Sequence, residues 1–306
     1  MQKRSRLRGF VIGCCRVLAV LYFGVLAILA GYQRSLIFPG GQPHDPRPFR
    51  VTPAAGCRVV DDGAGVVGLF EPGLTPGGQP CNDVKDRPTL LYFYGNDSCV
   101  LYAREDMERF RRAGMNIFIA EYPGYGMTSG APSERGCFAA AGRAYVFLTQ
   151  REGIAPSHIV IMGWSLGSAV AIDLASRVPS SALIVVSPFT NMADEASAQY
   201  PIYPAWMIRL VLRSPFASDR KIGRVACPIL DIHARDDNVV PFAMSERLMA
   251  HAHRPVTRLV LARGGHAALF SAGAAVDRQV IDFIDAAVGL GGAVRQGSAT
   301  SAGNVK

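Results

Sequence analysis

The stretch that decides the fold is Ile159-Val160-Ile161-Met162-Gly163-Trp164-Ser165-Leu166-Gly167. The apolar run at 159–162 predicts a buried strand, and the residues after Gly167 predict a helix. A serine between a strand and a helix can stand exposed on a sharp turn if glycines let the two backbones cross. Gly163 and Gly167 occupy those places, so Ser165 is a candidate nucleophile. The alternative is an ordinary loop between a strand and a helix.

On either side of this stretch, predicted strands alternate with predicted helices. Strands that are apolar along their whole length are typical of a parallel sheet covered by helices on both faces. No change of composition divides residues 59–288, so we expect one α/β domain there. We predict strands at 59–60, 66–70, 88–94, 115–121, 158–164, 182–187, 228–233 and 257–262, and helices at 100–113, 132–149, 167–178, 242–252 and 275–288.

A serine hydroxyl is a weak nucleophile and needs a histidine base that a carboxylate orients. Of the six histidines, His266 is best placed, in a glycine-containing loop directly after the last predicted strand. The carboxylate should follow the strand at 228–233, where Asp236 and Asp237 stand side by side. The simpler alternatives are a solvated loop for His266, and loop capping or pairing with Arg235 for either aspartate.

Attack on a carbonyl develops a negative charge that needs two backbone N–H donors, which form an oxyanion hole. The amide of Leu166, directly after Ser165, is one predicted donor. The other lies in the loop after the strand at 88–94, where Gly95 permits a tight turn and the Asn96 amide is the predicted donor. Because Gly-Asn is also a common turn pair, an ordinary turn is the alternative.

The N-terminus predicts a membrane anchor. Residues 10–32 are almost wholly apolar, and about twenty apolar residues in a helix cross a bilayer. Basic residues precede this span, so the positive-inside rule predicts a single-pass protein with a cytoplasmic N-terminus and its catalytic domain outside, in the periplasm if the chain is bacterial. A cleaved signal peptide is the alternative, although the apolar run is long and lacks a small-residue cleavage site.

These features divide the chain into segments. The predicted segments are 1–9 (basic), 10–32 (transmembrane anchor), 33–58 (linker), 59–288 (catalytic domain) and 289–306 (disordered tail). Within the domain, 188–221 is a short lid-like insertion, and its large apolar side chains are Tyr200, Tyr203, Trp206, Met207 and Phe216. They predict either a surface for an acyl chain or the membrane, or the completion of the core.

The net charge of +8 does not predict a nucleic-acid partner. Lys3, Arg4, Arg6 and Arg8 are concentrated at the N-terminus, and the remaining arginines are scattered without a basic stripe interleaved with aromatics. An anionic lipid surface is the expected partner instead. The sequence contains no Cys/His cluster with zinc spacing, so we predict neither a metal site nor a cofactor.

The cysteines outside the span leave two possibilities. An oxidising compartment permits disulfides, and we hypothesise that Cys99 pairs with Cys137, because both begin predicted helices that flank the same strand. The alternative is buried cysteines that act as small hydrophobic residues.

Together these motifs resemble the alpha/beta hydrolases. The resemblance rests on Tyr94-Gly95-Asn96, Tyr122-Pro123-Gly124-Tyr125-Gly126, Gly130-x-Pro132-Ser133-Glu134, the stretch around Ser165, and Asp237-x-Val239-Val240-Pro241. More narrowly, the chain is similar to the membrane-associated branch that includes depalmitoylating acyl-protein thioesterases and bud-emergence-type proteins. The run Gln33-Arg34-Ser35-Leu36-Ile37-Phe38-Pro39 after the anchor resembles that branch too.

The resemblance implies an alpha/beta-hydrolase fold and hydrolysis of an ester or thioester through an acyl-enzyme. It implies Ser165, Asp237 and His266 as the catalytic residues, since the family orders them serine, acid, histidine along the chain. The family's acid falls four residues after the histidine that ends its strand, which is Asp237 here. A serine aminopeptidase-like activity and a catalytically silent scaffold are the alternatives.

The chain departs from the family pattern at two positions. Tyr94 stands where the family has a histidine before the glycine of the oxyanion loop. Ala234 stands where a glycine follows the histidine of the acid loop. The first departure leaves the hydrogen bonding of the oxyanion loop open.

Overall fold

The computed structural model of the chain describes residues 2–41 and 56–289. Residues 42–55 of the predicted linker and residues 290–306 of the predicted tail lie outside the described residues.

Within the described residues, eight strands form one sheet. The strands are β1 (Arg58–Asp61), β2 (Val66–Glu71), β3 (Thr89–Phe93), β4 (Asn116–Ala120), β5 (Ile159–Trp164), β6 (Ala182–Val186), β7 (Ile229–Ala234) and β8 (Val256–Leu261). Their order across the sheet is β1-β2-β4-β3-β5-β6-β7-β8. β2 is antiparallel to both of its neighbours, and the other pairs are parallel. The predicted mostly parallel sheet is confirmed.

Helices cover both faces of this sheet, and the described residues also include an N-terminal helix and two helices in the lid-like region. The helices are α1 (Gln2–Ile37), α2 (Val100–Arg112), α3 (Glu134–Val146), α4 (Leu166–Ala175), α5 (Met192–Gln199), α6 (Ala205–Val211), α7 (Phe242–Met249), α8 (Ala268–Ser271) and α9 (Ala274–Ala287). The chain moves one way across the sheet from β3 to β4 and the opposite way from β4 to β5. Because such crossovers are right-handed, α2 and α3 lie on opposite faces. α9 packs with α2, and α4 packs with α3.

Helices bury the central strands on both faces of the sheet, which explains why these strands are continuous apolar runs in the sequence. Every residue of β3, β4, β6 and β7 is buried, including polar ones such as Thr89 and Asn116. The amide of Asn116 donates to the Val84 carbonyl at 2.8 Å and to the Thr89 hydroxyl at 3.0 Å, so its buried polar atoms have partners.

The lid-like region contains two helices that the sequence analysis missed, α5 and α6. A readable signal precedes α5, since the Asn191 side chain caps it by accepting the Asp194 N–H at 2.9 Å. Tyr203 and Phe216 are buried, whereas Trp206 is exposed. The apolar side chains of this region therefore serve partly as core and partly as surface.

The N-terminal helix continues past the predicted end of the anchor at Tyr32 and ends at Ile37. Its segment Leu7–Ile37 is long and apolar enough to cross a membrane by length and composition. The helix also contacts the lid-like region. The Tyr22 hydroxyl donates to the Ile202 carbonyl at 2.7 Å, and the Tyr203 hydroxyl donates to the Tyr22 carbonyl at 2.9 Å.

The predicted disulfide between Cys99 and Cys137 is wrong. All seven cysteines lie in the described part of the chain, and each is free. Cys99 precedes α2 while Cys137 lies within α3, and those two helices cover opposite faces of the sheet. Burial raises the pKa of the Cys137 thiol to about 12. This agrees with the alternative that the buried cysteines act as small hydrophobic residues.

We therefore expect both thiols to be unpaired in the folded protein. Alkylation with iodoacetamide in denaturant, without prior reduction, should modify Cys99 and Cys137 fully, because no bond between them has to be reduced first. Prior reduction is the control and should leave the modified mass unchanged. A disulfide-linked pair of peptides containing these two residues would contradict the structure.

Candidate active site

Ser165 lies on the sharp turn between β5 and α4. Its backbone has φ 53° and ψ −120°, a left-handed conformation that side chains rarely adopt. A Cβ added to Gly163 would lie 2.1 Å from the Gly167 carbonyl oxygen, and one added to Gly167 would lie 2.0 Å from the Phe93 carbonyl oxygen. Only glycines fit at both positions, and their close packing holds Ser165 at the carboxyl end of the sheet.

His266 contacts Ser165 directly. The Ser165 hydroxyl lies 2.8 Å from Nε2 of His266, and Nδ1 of His266 lies 2.9 Å from Oδ2 of Asp237. Two donors hold the backbone of His266, since Nε1 of Trp164 and the hydroxyl of Ser187 both bind its carbonyl, at 2.9 Å and 3.0 Å. The structure thus brings the three predicted catalytic residues into one hydrogen-bonded chain.

Asp237 is buried and accepts four hydrogen bonds. Oδ1 accepts the amides of Val239 and Val240, each at 2.9 Å, and Oδ2 faces both His266 and Nε2 of His233, the latter at 3.1 Å. Burial raises the pKa of Asp237, but the hydrogen bonds from His233 and His266 outweigh it and hold the pKa below its ordinary value. The carboxylate therefore stays ionised beside His266 at neutral pH.

The neighbouring Asp236 has a different position. It is exposed and accepts the amides of Gly264 and Gly265 at 3.3 Å and 2.9 Å, which closes the loop that carries His266. The local sequence did not decide between the two aspartates, and in the structure only Asp237 contacts His266.

His233 is a site residue that the sequence analysis missed, although its position four residues before Asp237 was a recognisable signal.

The two predicted oxyanion donors lie beside Ser165. Asn96, Leu166 and Ser165 line one cavity, and Leu166 is the first residue of α4, where amides have no partner inside the helix. A Cβ on Gly95 would lie 3.2 Å from the Trp164 ring and 3.5 Å from Cβ of Ser165, so this glycine lets the loop approach the nucleophile.

Comparison with known proteins points to one family. The chain is 34% identical over 253 residues to an uncharacterized protein of Mycobacterium tuberculosis, a match that covers 82% of this chain and 86% of that protein. It is 35% identical over 155 residues to alpha/beta hydrolase domain-containing protein 17B of Xenopus laevis, spanning 51% of each chain. An alpha-beta hydrolase from Vibrio vulnificus shares the fold, with a TM-score of 0.59 and 22% identity over 74% of this chain and 81% of that one. No family model matches the chain.

This chain belongs to the alpha/beta-hydrolase superfamily. As a member, it is a hydrolase, and the family resemblance drawn from its motifs is confirmed.

In this hydrolase, tyrosines support the loop that carries Asn96, and one of them stands where the family has a histidine. The Tyr94 hydroxyl donates to the buried carboxyl of Glu121, and the Tyr122 hydroxyl donates to the Tyr94 carbonyl at 3.0 Å. The Tyr125 hydroxyl donates to the Asn96 carbonyl at 2.8 Å. At the departure from the family pattern, this chain therefore supports the loop with a buried tyrosine network.

A cavity of about 420 Å³ opens beside Ser165 in this hydrolase. Its volume lies within the range of small-molecule sites, about 300–1,000 Å³. Asn96 and Leu166 lie with Ser165 at its reactive end, and most of the remaining lining is apolar. Within residues 2–41 and 56–289, no group of His, Cys, Asp and Glu side chains could hold a metal ion.

Glu121 makes the stability of the hydrolase depend on pH. Burial raises its pKa from 4.5 to about 7, against the opposing hydrogen bonds from Tyr94 and the Met127 amide. Below pH 4.5 the carboxyl is protonated in both folded and unfolded chains. Between pH 4.5 and 7 the unfolded chain loses the proton while the folded chain keeps it, so the free energy of unfolding falls as pH rises.

The variant Glu121→Gln should remove this dependence. We expect the variant to gain stability relative to wild type as the pH rises from 4.5 to 7, by on the order of 3 kcal/mol in total. Urea unfolding in detergent micelles at a series of pH values measures the difference. A difference that stays constant across this window would contradict the assignment.

Proposed function

We propose that this chain is a membrane-anchored serine hydrolase that cleaves carboxylic ester or thioester bonds through an acyl-enzyme. The observation that carries the proposal is the hydrogen-bonded chain from the Ser165 hydroxyl through His266 to Asp237, at 2.8 Å and 2.9 Å. A serine, an imidazole and a buried carboxylate in this arrangement are what acyl transfer requires.

The reaction begins when Oγ of Ser165 attacks the carbonyl carbon of the substrate. Nε2 of His266 takes the hydroxyl proton and then gives it to the leaving alcohol or thiol, as the carbon–oxygen or carbon–sulfur bond breaks. Asp237 fixes the imidazole with Nδ1–H pointing at its own carboxylate, and it stabilises the imidazolium that forms. Water then attacks the acyl-enzyme by the same steps in reverse order and frees Ser165.

The negative charge of the tetrahedral intermediate falls beside the backbone amides of Asn96 and Leu166. The hydrogen bond from Tyr125 to the Asn96 carbonyl supports the loop from behind, so the donor needs little rearrangement during the reaction. Preorganised donors of this kind contribute several kcal/mol of transition-state stabilisation in acyl-transfer enzymes, with about 3 kcal/mol typical of one donor.

The proposal includes a single-pass anchor with the N-terminus in the cytoplasm and the catalytic domain on the other side of the membrane. Support comes from the apolar segment Leu7–Ile37 and from the basic residues that precede it in the sequence. The mostly apolar lining of the cavity favours acyl groups over polar peptide substrates.

Labelling with a fluorophosphonate probe tests the proposal, because the probe reacts with an activated serine. We expect wild type to label, Ser165→Ala not to label, and His266→Ala to label more slowly by about 10³-fold or more. Asp237→Asn should also slow labelling strongly, since it removes the charge that stabilises the imidazolium. Asp236→Asn is the matched control: it keeps an oxygen that can accept the loop amides and does not contact His266, so it should label much faster than Asp237→Asn.

Absence of labelling in folded wild type would overturn the serine hydrolase. A second outcome separates the ester from the peptide activity. Turnover of p-nitrophenyl acyl esters by wild type agrees with the proposal, whereas turnover of aminoacyl anilides alone would favour an aminopeptidase.

A further inference from the structure

The anchor helix forms one wall of the cavity beside Ser165. Six residues of its C-terminal half line that cavity, namely Leu26, Leu29, Ala30, Gln33, Leu36 and Ile37. Their spacing of three and four residues puts them on one stripe of the helix. From Leu26 to Ile37 the stripe is about 16 Å long at 1.5 Å per residue, so the wall is elongated.

Hydrogen bonds fix this wall to the lid-like region and to the oxyanion loop. The Gln33 side chain binds the backbone around the end of α6 through both of its polar atoms. Its Nε2 donates to the Val211 carbonyl at 3.2 Å, and its Oε1 accepts the Arg213 N–H at 2.7 Å. At the end of α1, the Asn96 side chain donates to the Ile37 carbonyl at 3.1 Å. The C-terminal end of the stripe, at Ile37, therefore lies beside Asn96 and near Ser165. Leu26 lies at the opposite end of the cavity wall.

The opposite wall comes from α5 and α6, and the outer side of α6 is apolar. Trp206 and Leu210, four residues apart on one face, are 61% and 77% exposed, and nearby Ile202 is 66% exposed. Ile202 lies in one groove with Leu18, Leu21 and other side chains of the anchor helix. This exposed apolar surface is continuous with the helix that is long enough to cross a membrane, so a lipid bilayer is the partner that fits it.

We propose that the anchor helix and the lid-like region together form an acyl-chain site that opens toward the bilayer. The substrate is then an ester or thioester of a long acyl chain that resides in the membrane, and its chain lies along α1 while its carbonyl reaches Ser165. This inference rests on the proposed function, since it assigns the substrate class of the same site.

The character of the cavity agrees with a long hydrocarbon chain. Each methylene that leaves water for an apolar site strengthens binding by about fourfold, so an elongated apolar wall favours long chains steeply. The lining includes one carboxyl, that of Glu195, and burial raises its pKa to about 7. Near pH 7 a large fraction of this carboxyl is therefore protonated and neutral. The neutral form has a lower free-energy cost beside an acyl chain than the carboxylate.

Filling the cavity from the helix side tests the proposal. We use the full chain reconstituted in phosphatidylcholine vesicles and compare kcat/KM for p-nitrophenyl palmitate and p-nitrophenyl butyrate. In Ala30→Trp the indole occupies the middle of the stripe, so kcat/KM should fall more for palmitate than for butyrate, and the palmitate-to-butyrate ratio should fall by about tenfold or more. Leu36→Trp, at a lining position nearer Asn96, should shorten the accepted chain further.

Ile28→Trp is the matched control. Ile28 is 60% exposed and lies about 200° around the helix from Ala30, away from the cavity. The same side chain placed there should leave the ratio at the wild-type value. Melting temperature and fluorophosphonate labelling report whether each variant is folded with a working serine.

The outcomes separate this inference from the proposed function. A wild type that cleaves butyrate but not palmitate overturns the acyl-chain site and leaves the serine hydrolase standing. Folded, labelled Ala30→Trp and Leu36→Trp variants with an unchanged ratio overturn it as well. A wild type that neither labels nor cleaves any ester removes the proposed function and the inference with it.

Discussion

The backbone of Gly167 lies so close to the carbonyl oxygen of Phe93 that no side chain fits between them. This contact presses the start of α4 against the end of β3, and the rest of the site depends on it. The chain can leave β5 and enter α4 at that distance only by turning sharply, so Ser165 takes a left-handed conformation with φ 53°. The turn lifts the serine hydroxyl above the carboxyl end of the sheet.

The partners of Ser165 reach it because they follow parallel strands. Asp237 follows β7 and His266 follows β8, so their loops meet at the edge of the sheet where β5 also ends. Burying Asp237 requires hydrogen bonds to its carboxylate, and His233 and two loop amides supply them alongside His266. The contacts from His233 and the two amides do not involve His266, so they hold Asp237 independently of it.

The N-terminal helix contacts the candidate active site directly. Its last turn accepts a hydrogen bond from the Asn96 side chain, and the Gly40 N–H donates to the Asn96 carbonyl at 3.1 Å. Tyr125 binds that same carbonyl from the domain side. The loop that carries Asn96 is therefore held between the end of α1 and the buried tyrosine network, which couples the position of the helix to the geometry around Ser165.

Local patterns in the sequence predicted the sheet, the main helices and the residues around Ser165, because strand-turn-helix signals extend over a few neighbouring residues. Choosing Asp237 over Asp236 needed the family spacing, since both aspartates follow the same strand. The contact of Tyr94 with Glu121 and that of Tyr22 with Ile202 join residues far apart in sequence, and no local pattern encodes them. The disulfide prediction was wrong because local sequence does not encode the direction of each crossover between strands. That direction decides the face of the sheet on which a helix lies, and it puts α2 and α3 on opposite faces.

The most direct test of an acyl-enzyme on Ser165 is to trap that intermediate. The full-length protein is mixed with a palmitoyl thioester, quenched with acid during turnover and digested, and the peptides are analysed by mass spectrometry. Our account predicts one palmitoylated peptide whose modified residue is Ser165, and the adduct should disappear as the substrate is consumed. An acyl group on a cysteine such as Cys99, or turnover without any acylated peptide, would contradict it.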